Sequence, residues 1–282
     1  MSGTLYLCAT PIGNLEDITL RVLRLLRESD LIAAEDTRHT RKLLNHFKIS
    51  TPLTSYHEHN SRAKGSHLLD VLRSGKNVAL VTDAGMPAVS DPGADIVQLC
   101  RAHGVSVTCA PGASAHSAAL AVSGLGGGGF IFEGFFPREV KERRECLAAL
   151  ADEYRATIFY EAPHRMRDTM RDLTAHLPPD RTVAIASELT KLYEKCLVGP
   201  LCEIAGQVEH SELRGEFVIV VGGVSKQELT SRDQAQFGNM TVAEHVQAYI
   251  NTGLDQKSAM KAAARDRGVA KSVIYKQLLT KL

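Results

Sequence analysis

The sequence contains no tryptophan, and aromatic residues make up only 5% of its 282 residues. Aliphatic side chains must therefore supply most of a core drawn from the 44% of residues that are hydrophobic. No apolar run approaches the roughly 20 residues that a helix needs to span a bilayer. No basic segment precedes a long apolar stretch near the start of the sequence. We therefore expect a cytoplasmic protein without a signal peptide or a membrane span.

The six cysteines lack the spacing that disulfide frameworks or zinc sites use. None of them stands in a CxxC pair, and Cys8 and Cys109 lie inside apolar runs. The sequence also lacks a group of histidines and cysteines with the spacing of metal ligands. It therefore predicts free thiols in a reducing compartment and no metal site.

The formal net charge of +1 does not by itself indicate a protein that binds nucleic acid. The charges are nevertheless unevenly distributed, because residues 240–282 carry seven Lys and Arg residues against three acidic residues. Thr241 and Glu244 have the spacing of a capping box, and Gly253 and Gly268 separate three short helical segments. We predict a basic, helix-turn-helix-like module here, called the C-terminal module below. A solvated helical cap on the main body is the alternative.

Apolar runs alternate with segments of helical periodicity through the first 123 residues. Predicted strands begin at Thr4, Leu31, Val78 and Val105, and a helix is predicted over 17–28. Strands that alternate with helices indicate βαβ units and a mostly parallel sheet. The sequence therefore predicts an α/β domain over residues 1–123.

A glycine run at 124–129 interrupts this alternation near the middle of the chain. It matches the GxGxxG spacing, but a predicted helix precedes it and a predicted strand follows it. This order is the reverse of the dinucleotide-binding context, so we interpret the run as a linker. A second α/β domain is predicted over 130–224, with a sheet that need not be all parallel, and a polar linker at 224–237.

Polar and glycine-rich segments follow the predicted strands at their carboxyl ends. The most marked is LVTDAGMPAVSDPG at 80–93, in which two glycines and two prolines shape a loop after a buried strand. Ligands of open α/β sheets bind outside the carboxyl ends of the strands. We therefore expect a ligand at this loop, the alternative being an ordinary connection between a strand and a helix.

Six motifs occur together and in order along essentially the whole chain. They are TPIGNLEDIT, AAEDTRHT, VTDAGMPAVSDPG, APGASA, FYEAPHR and ELTK, which begin at residues 10, 33, 81, 110, 159 and 188. The ordered set resembles the tetrapyrrole (corrin/porphyrin) methylase superfamily, and within it the bacterial ribosomal RNA small subunit methyltransferase I family. The resemblance implies two α/β domains, the first with a mostly parallel sheet and the second with a mixed sheet. It also implies a homodimer.

The same resemblance implies a reaction and a cofactor. The reaction is 2′-O-methylation of a cytidine ribose in the decoding region of 16S rRNA, within the small ribosomal subunit. The methyl donor is S-adenosylmethionine, in a cleft between the domains and without a metal. The sequence departs from the pattern of the superfamily in one segment and at one further residue. Residues 10–14 replace the GxGxG turn of its small-molecule enzymes, and Met86 stands where a smaller or polar residue is expected.

S-adenosylmethionine carries a sulfonium cation, an amino-acid tail and an adenosine. Backbone groups beside glycines can bind the tail, and Asp83 can accept from its amino group or stabilise the sulfonium. The resemblance places these contacts at the strand ends of the first domain and at one residue of the second. The predicted cofactor-binding residues are Thr10, Pro11, Asp83, Ala84, Gly85, Pro111, Gly112, Ala113 and Glu161.

Methyl transfer is an in-line displacement, which an enzyme accelerates by aligning oxygen, methyl and sulfur. A ribose hydroxyl is a poor nucleophile, so a base assists. The polar cluster after the second predicted strand supplies the candidates. We predict Asp36 as the base, Arg38 as a phosphate contact and Glu35 as a weaker candidate, with His39 and Glu161 as further options for the base.

Two other functions stay open on the sequence. A small-molecule, tetrapyrrole-type methyltransferase would share the fold and cofactor but would have no use for a basic helical module. A ligand-sensing nucleic-acid-binding regulator would use the module but would not require the polar cluster at residues 35–40.

Overall fold

A computed structural model of the chain describes residues 2–91, 93–225 and 240–279. Most of the linker predicted at 224–237 lies outside the described residues. The strands are β1 (Thr4–Cys8), β2 (Leu31–Ala34), β3 (Leu53–Ser55), β4 (Val78–Val81), β5 (Ser106–Ala110), β6 (Phe130–Phe135), β7 (Ala156–Glu161), β8 (Thr182–Ser187), β9 (Lys195–Pro200) and β10 (Phe217–Val221). The α-helices are α1 (Leu20–Glu28), α2 (Thr37–His46), α3 (Ser61–Arg73), α4 (Gly93–Ala102), α5 (Ala115–Ser123), α6 (Val140–Asp152), α7 (Met166–His176), α8 (Leu201–Glu209), α9 (Val242–Asn251), α10 (Gln256–Asp266) and α11 (Lys271–Leu279).

The first sheet has the strand order β3-β2-β4-β1-β5, and all its pairings are parallel. Its central strand β4 is buried along its whole length, as the unbroken apolar run predicts for a sheet covered on both faces. Leu68 and Ile96 from α3 and α4 pack on one face. Leu26 and Leu44 from α1 and α2 pack on the other. The carboxyl ends of β1, β2 and β4 therefore meet along one edge.

The helix predicted over 17–28 begins later than expected. Residues Leu15–Asp17 form a 3₁₀ turn, and α1 begins only at Leu20. The Thr19 side chain accepts a hydrogen bond from the backbone N–H of Val22, at 3.1 Å, and so caps the helix. The turn keeps the segment after β1 out of the helix and leaves it as a loop at the strand ends.

The second sheet has the order β6-β7-β10-β8-β9 and is mixed, which confirms the prediction for this half. Strands β6 and β7 pair in parallel, whereas β10 runs antiparallel to both β7 and β8. Helices α6, α7 and α8 cover one face, with Phe159, Leu173 and Ile204 in the shared core.

Helix α5 connects the two sheets. It follows β5 of the first sheet in sequence, but its buried residues Ala119 and Leu120 pack against Ile158, Ala184 and Val220 of the second. The glycine run at 124–129 then leads from α5 to β6 without regular structure. Packing associates α5 with the second sheet, and a domain boundary at residue 123 stays a proposal.

The described part of the C-terminal module forms three helices around a core of its own. Val246, Ala259, Ala263 and Ile274 are buried within it. None of the helices in the described residues is long and apolar enough to cross a membrane.

The capping box predicted at the start of α9 is present. The Glu244 backbone N–H donates to Thr241 Oγ1 at 3.2 Å, and the Glu244 carboxylate accepts from the Thr241 N–H at 2.8 Å. We expect Thr241→Ala to destabilise the module by about 1 kcal/mol, because a backbone donor loses its partner. Thr241→Ser should keep the stability of the wild type. Hydrogen exchange of α9 measures the effect, and unchanged exchange in the alanine variant would contradict the assigned cap.

Candidate active site

The segments after β1 and β4 are joined by a pair of backbone hydrogen bonds. The Thr10 N–H donates to Gly85 O at 2.9 Å, and the Gly85 N–H donates to Thr10 O at 3.0 Å. The Thr10 hydroxyl also donates to Thr82 O at 3.1 Å. Gly85 has φ +83°, and a Cβ there would lie 3.4 Å from Ile12 Cγ2. The positive φ favours glycine at this position, and the two hydrogen-bonded segments form one surface.

A first cavity of about 270 Å³ lies between this surface and the second sheet. Its walls combine apolar side chains, backbone and a few polar groups, as in small-molecule sites. The lining residues are Ile12, Ala84, Gly85, Met86, Val89, Ser114, Ala115, His116, Tyr160, Glu188, Leu189, Lys191, Gly215, Glu216, Phe217 and Val218.

Two aromatic side chains form the polar edge of the first cavity. The His116 ring stacks on Phe132 with the ring centroids 4.4 Å apart, and its Nδ1 lies 3.3 Å from the Tyr160 hydroxyl. Burial lowers the pKa of His116 and raises the pKa of Tyr160. Both groups are therefore neutral at pH 7, and this edge offers hydrogen bonds without net charge.

The segment after β8 reaches the first cavity in an unusual backbone conformation. Glu188 and Thr190 have φ of 52° and 66°, a region that residues other than glycine rarely adopt. Lys191 Nζ donates to Glu188 Oε1 at 2.9 Å, and the Thr190 N–H donates to a Glu194 carboxylate oxygen at 2.6 Å. Such strain persists where the surrounding structure holds it, and it often marks functional sites.

A second cavity of about 610 Å³ adjoins the first. The two cavities share Ile12, Ala84, Lys191 and Glu216. The remaining walls come from the segments after β1 and β4 and from one face of α2. These further lining residues are Thr10, Pro11, Gly13, Leu15, His39, Thr40, Lys42, Leu43, His46, Thr82 and Asp83.

Asp83 places a half-buried carboxylate in the second cavity. Its Oδ1 accepts a hydrogen bond from the Asp36 N–H at 3.1 Å. Burial raises the pKa of Asp83, and the negative charges of Glu35 and Asp36 raise it further. A carboxylate with a raised pKa accepts a proton more readily than an ordinary aspartate does.

Residues 4–205 match the Tetrapyrrole (Corrin/Porphyrin) Methylases. The chain belongs to this family. A ribosomal RNA small subunit methyltransferase I from Halalkalibacterium halodurans is 47% identical over 273 residues, covering 97% of this chain and 93% of the relative. The protein of the same name from Bacillus subtilis is 45% identical, with the same coverage of both chains.

Solved structures share the fold of this methylase. A uroporphyrin-III-C-methyltransferase from Thermus thermophilus has a TM-score of 0.57 at 20% identity, over 78% of this chain and 94% of that chain. A cobalt precorrin-4 methyltransferase has a TM-score of 0.59 at the same identity and coverage. These likenesses confirm the predicted tetrapyrrole-methylase-like α/β fold. The family and the relatives confirm the prediction of a methyltransferase.

One of the relatives is shorter than this methylase and matches only part of it. The protein of the same name from Thermotoga maritima is 47% identical over 221 residues, which cover 99% of the relative but 78% of this chain. About a fifth of this chain therefore lies outside the matched part.

The predicted cofactor-binding residues do not all line the same cavity. Gly85 lines the first cavity, Ala84 lines both, and Thr10, Pro11 and Asp83 line the second. The segment 111–113 lines neither cavity. It leads instead to Ser114 and Ala115, which line the first.

Glu161, the predicted cofactor contact from the second domain, lines neither cavity. The side chain is fully buried in the second half of the methylase. Its oxygens accept from the Thr169 hydroxyl at 2.6 Å and from the Ala162 N–H at 2.8 Å, and Arg165 lies 3.5 Å away. These contacts occupy the carboxylate, and its neighbour Tyr160 lines the first cavity instead.

The predicted catalytic residues Glu35, Asp36 and Arg38 line neither of the two cavities. Asp36 caps α2 and binds the Arg38 guanidinium, with Nη2 and Oδ2 2.7 Å apart. These hydrogen bonds hold the pKa of Asp36 well below its usual range, so it is a poor proton acceptor. Glu35 accepts from the Thr82 hydroxyl at 2.6 Å and so ties β2 to β4. The geometry gives these residues structural contacts, and their catalytic roles stay predictions.

Several lining residues were not among the predicted site residues. Three of them, Tyr160, Glu188 and Lys191, lie in the motifs FYEAPHR and ELTK. The motifs marked these positions as notable, but the sequence assigned them no role. His116 and Glu216 had no such signal, because they reach the cavity only through the packing of α5 and β10.

Asp83 provides a test of the electrostatics of the second cavity. A raised pKa in the folded state means that stability is lost as pH rises through that pKa. Asp83→Asn keeps the acceptor for the Asp36 N–H and removes the charge. We expect this variant to be more stable than the wild type at pH 7, with the advantage disappearing as pH falls through the raised pKa of Asp83.

Thermal unfolding measured across the acid range gives this comparison. Asp70→Asn, on the exposed side of α3, is the matched control and should show no such gain. Lower stability of Asp83→Asn at pH 7 would contradict the assigned environment of the carboxylate.

Proposed function

We propose that this methylase uses S-adenosylmethionine to 2′-O-methylate the ribose of a cytidine in the decoding region of 16S rRNA. The observation that carries the proposal is the 47% identity, over nearly the whole chain, to a relative named for small subunit rRNA. A further relative of the same name, from Escherichia coli O157:H7, is 43% identical over 98% of this chain. These identities favour this function over a small-molecule methyltransferase or a ligand-sensing regulator.

The first cavity has the chemistry to hold the methyl donor. S-adenosylmethionine supplies a methyl group on a positively charged sulfur. Phe217 and Leu189 offer apolar surface for an adenosine, and the neutral His116 and Tyr160 offer hydrogen bonds. Ala84 and Gly85 add little side-chain volume to the cavity wall, which leaves space for an amino-acid tail.

The second reactant is the ribose hydroxyl that accepts the methyl group. Its oxygen forms the new bond to carbon while the bond from carbon to sulfur breaks, and the hydroxyl proton must leave. Asp83 follows β4 beside Ala84, which borders both cavities. We assign Asp83 to hold that proton, since its pKa is raised and its side chain lines the second cavity.

We also propose that the protein acts as a homodimer in the cytoplasm, without membrane attachment. Strand β6 lies at an edge of the second sheet, and its Phe130 and Phe135 are 46% and 49% exposed. A second copy would cover such apolar side chains. Sedimentation of the purified chain tests the proposal, with a mass of two chains expected and a mass of one chain contradicting it.

Methyl transfer to small ribosomal subunits tests the proposed reaction. The assay uses labelled S-adenosylmethionine, subunits from cells that lack this protein, and mapping of the labelled nucleotide. We expect label on a single cytidine ribose 2′-oxygen. Label on a base, or no label on RNA despite cofactor binding, would contradict the reaction and move the substrate to another class.

A measurement of S-adenosylmethionine binding tests the place of the donor. Ala115→Leu adds bulk at the first cavity and should weaken S-adenosylmethionine binding by at least 10-fold. Val122→Leu adds bulk on α5 at a 48% exposed position outside both cavities and should bind normally. Equal affinities in calorimetry for both variants and the wild type would contradict the donor site.

A further inference from the structure

A buried hydroxyl in the second cavity has no partner within the described part of the chain. Thr40 is only 2% exposed, and its Oγ1 makes no hydrogen bond with another described residue. Folded proteins rarely leave a buried hydroxyl unpaired, because its lost hydration is then not replaced. Since Thr40 lines the second cavity, a bound molecule can supply the partner.

Helix α2, which carries Thr40, also directs basic side chains toward the second cavity. His39, Lys42 and His46 follow one another at spacings of three and four residues, which places them on one face of α2. All three are exposed and line the second cavity. Lys42 forms no ion pair with another described residue, so its charge is available to an anion.

Acidic side chains line the same cavity. Asp83 and Glu216 place carboxylates there, and Lys191 is already bound to Glu188. Glu216 and Ala84 also border the first cavity. The second cavity therefore combines basic side chains on α2 with carboxylates, and Glu216 links it to the first cavity.

We propose that the second cavity binds the acceptor nucleotide of an RNA strand. Its phosphate lies against Lys42, flanked by His39 and His46, and the Thr40 hydroxyl completes a hydrogen bond to the nucleotide. Its ribose faces Asp83 at the boundary with the first cavity. This assignment deepens the proposed function and rests on it.

Charge reversal at Lys42 tests the binding of the phosphate. Lys42→Glu should lower kcat/KM for small ribosomal subunits by about 10-fold or more. The salt dependence of RNA binding should become shallower, by about 0.7–0.9 in log K against log salt for each phosphate that the variant no longer neutralises. The affinity for S-adenosylhomocysteine should stay unchanged. Lys141→Glu, at an 89% exposed side chain outside both cavities, is the matched control.

Removal of the unpaired hydroxyl gives a second, independent measurement. Thr40→Val keeps the shape of the side chain and removes a group that bonds to no described residue. We expect kcat/KM for RNA to fall by about 3- to 10-fold while the unfolding midpoint stays the same or rises. Thr40→Ser should restore the activity. A purely structural threonine would change stability and leave the activity of the folded enzyme intact.

The outcomes separate this assignment from the proposed function. A wild type that binds S-adenosylmethionine but labels no RNA would overturn the proposed reaction. A wild type that labels RNA, together with Lys42→Glu and Thr40→Val variants equal to it, would overturn only the acceptor site. Variants whose affinity for S-adenosylhomocysteine falls in parallel with RNA methylation would also overturn it, because the defect would then lie in the donor cavity.

Discussion

The backbone pair between Thr10 and Gly85 is the constraint on which the rest of the site depends. It closes the gap between the ends of β1 and β4 and turns two separate loops into one wall. Ile12 and Ala84 flank this pair, and both border the two cavities. Without it, the two loops could separate, and the boundary between the cavities would lose its shape. The positive φ of Gly85 makes the pair possible, since a side chain there would be strained.

The second sheet completes the site from the opposite side. Helix α5 carries His116 toward the first cavity while its apolar face packs on Ile158 and Val220. The strained segment at Glu188 and Thr190 brings Lys191 to the boundary of both cavities. The site therefore lies between two packed sheets, which suits a reaction whose rate depends on alignment of the reacting atoms.

The order of the elements, the parallel first sheet, the mixed second sheet and the loop after β4 could all be predicted from sequence. Apolar runs, glycines and ordered motifs carry that information locally. The roles of individual acidic residues could not be predicted, because an aspartate just before a helix can serve equally as a helix cap or as a catalytic base. Asp36 forms the cap of α2, and its hydrogen bonds with Arg38 lower its pKa. Glu161 likewise ends a strand, but its direction into the core depends on Thr169, eight residues away. His116 depends on α5 crossing to the second sheet, which no local pattern specifies.

We propose that donor and acceptor occupy neighbouring cavities that meet beside Ala84. The structure of the chain with S-adenosylhomocysteine and an RNA fragment that contains the target cytidine tests it most directly. Our account predicts the sulfur in the first cavity near Ala84 and the cytidine ribose in the second, within reach of Asp83. A cofactor bound in the second cavity, or a ribose that approaches from the side of Glu35, would contradict it.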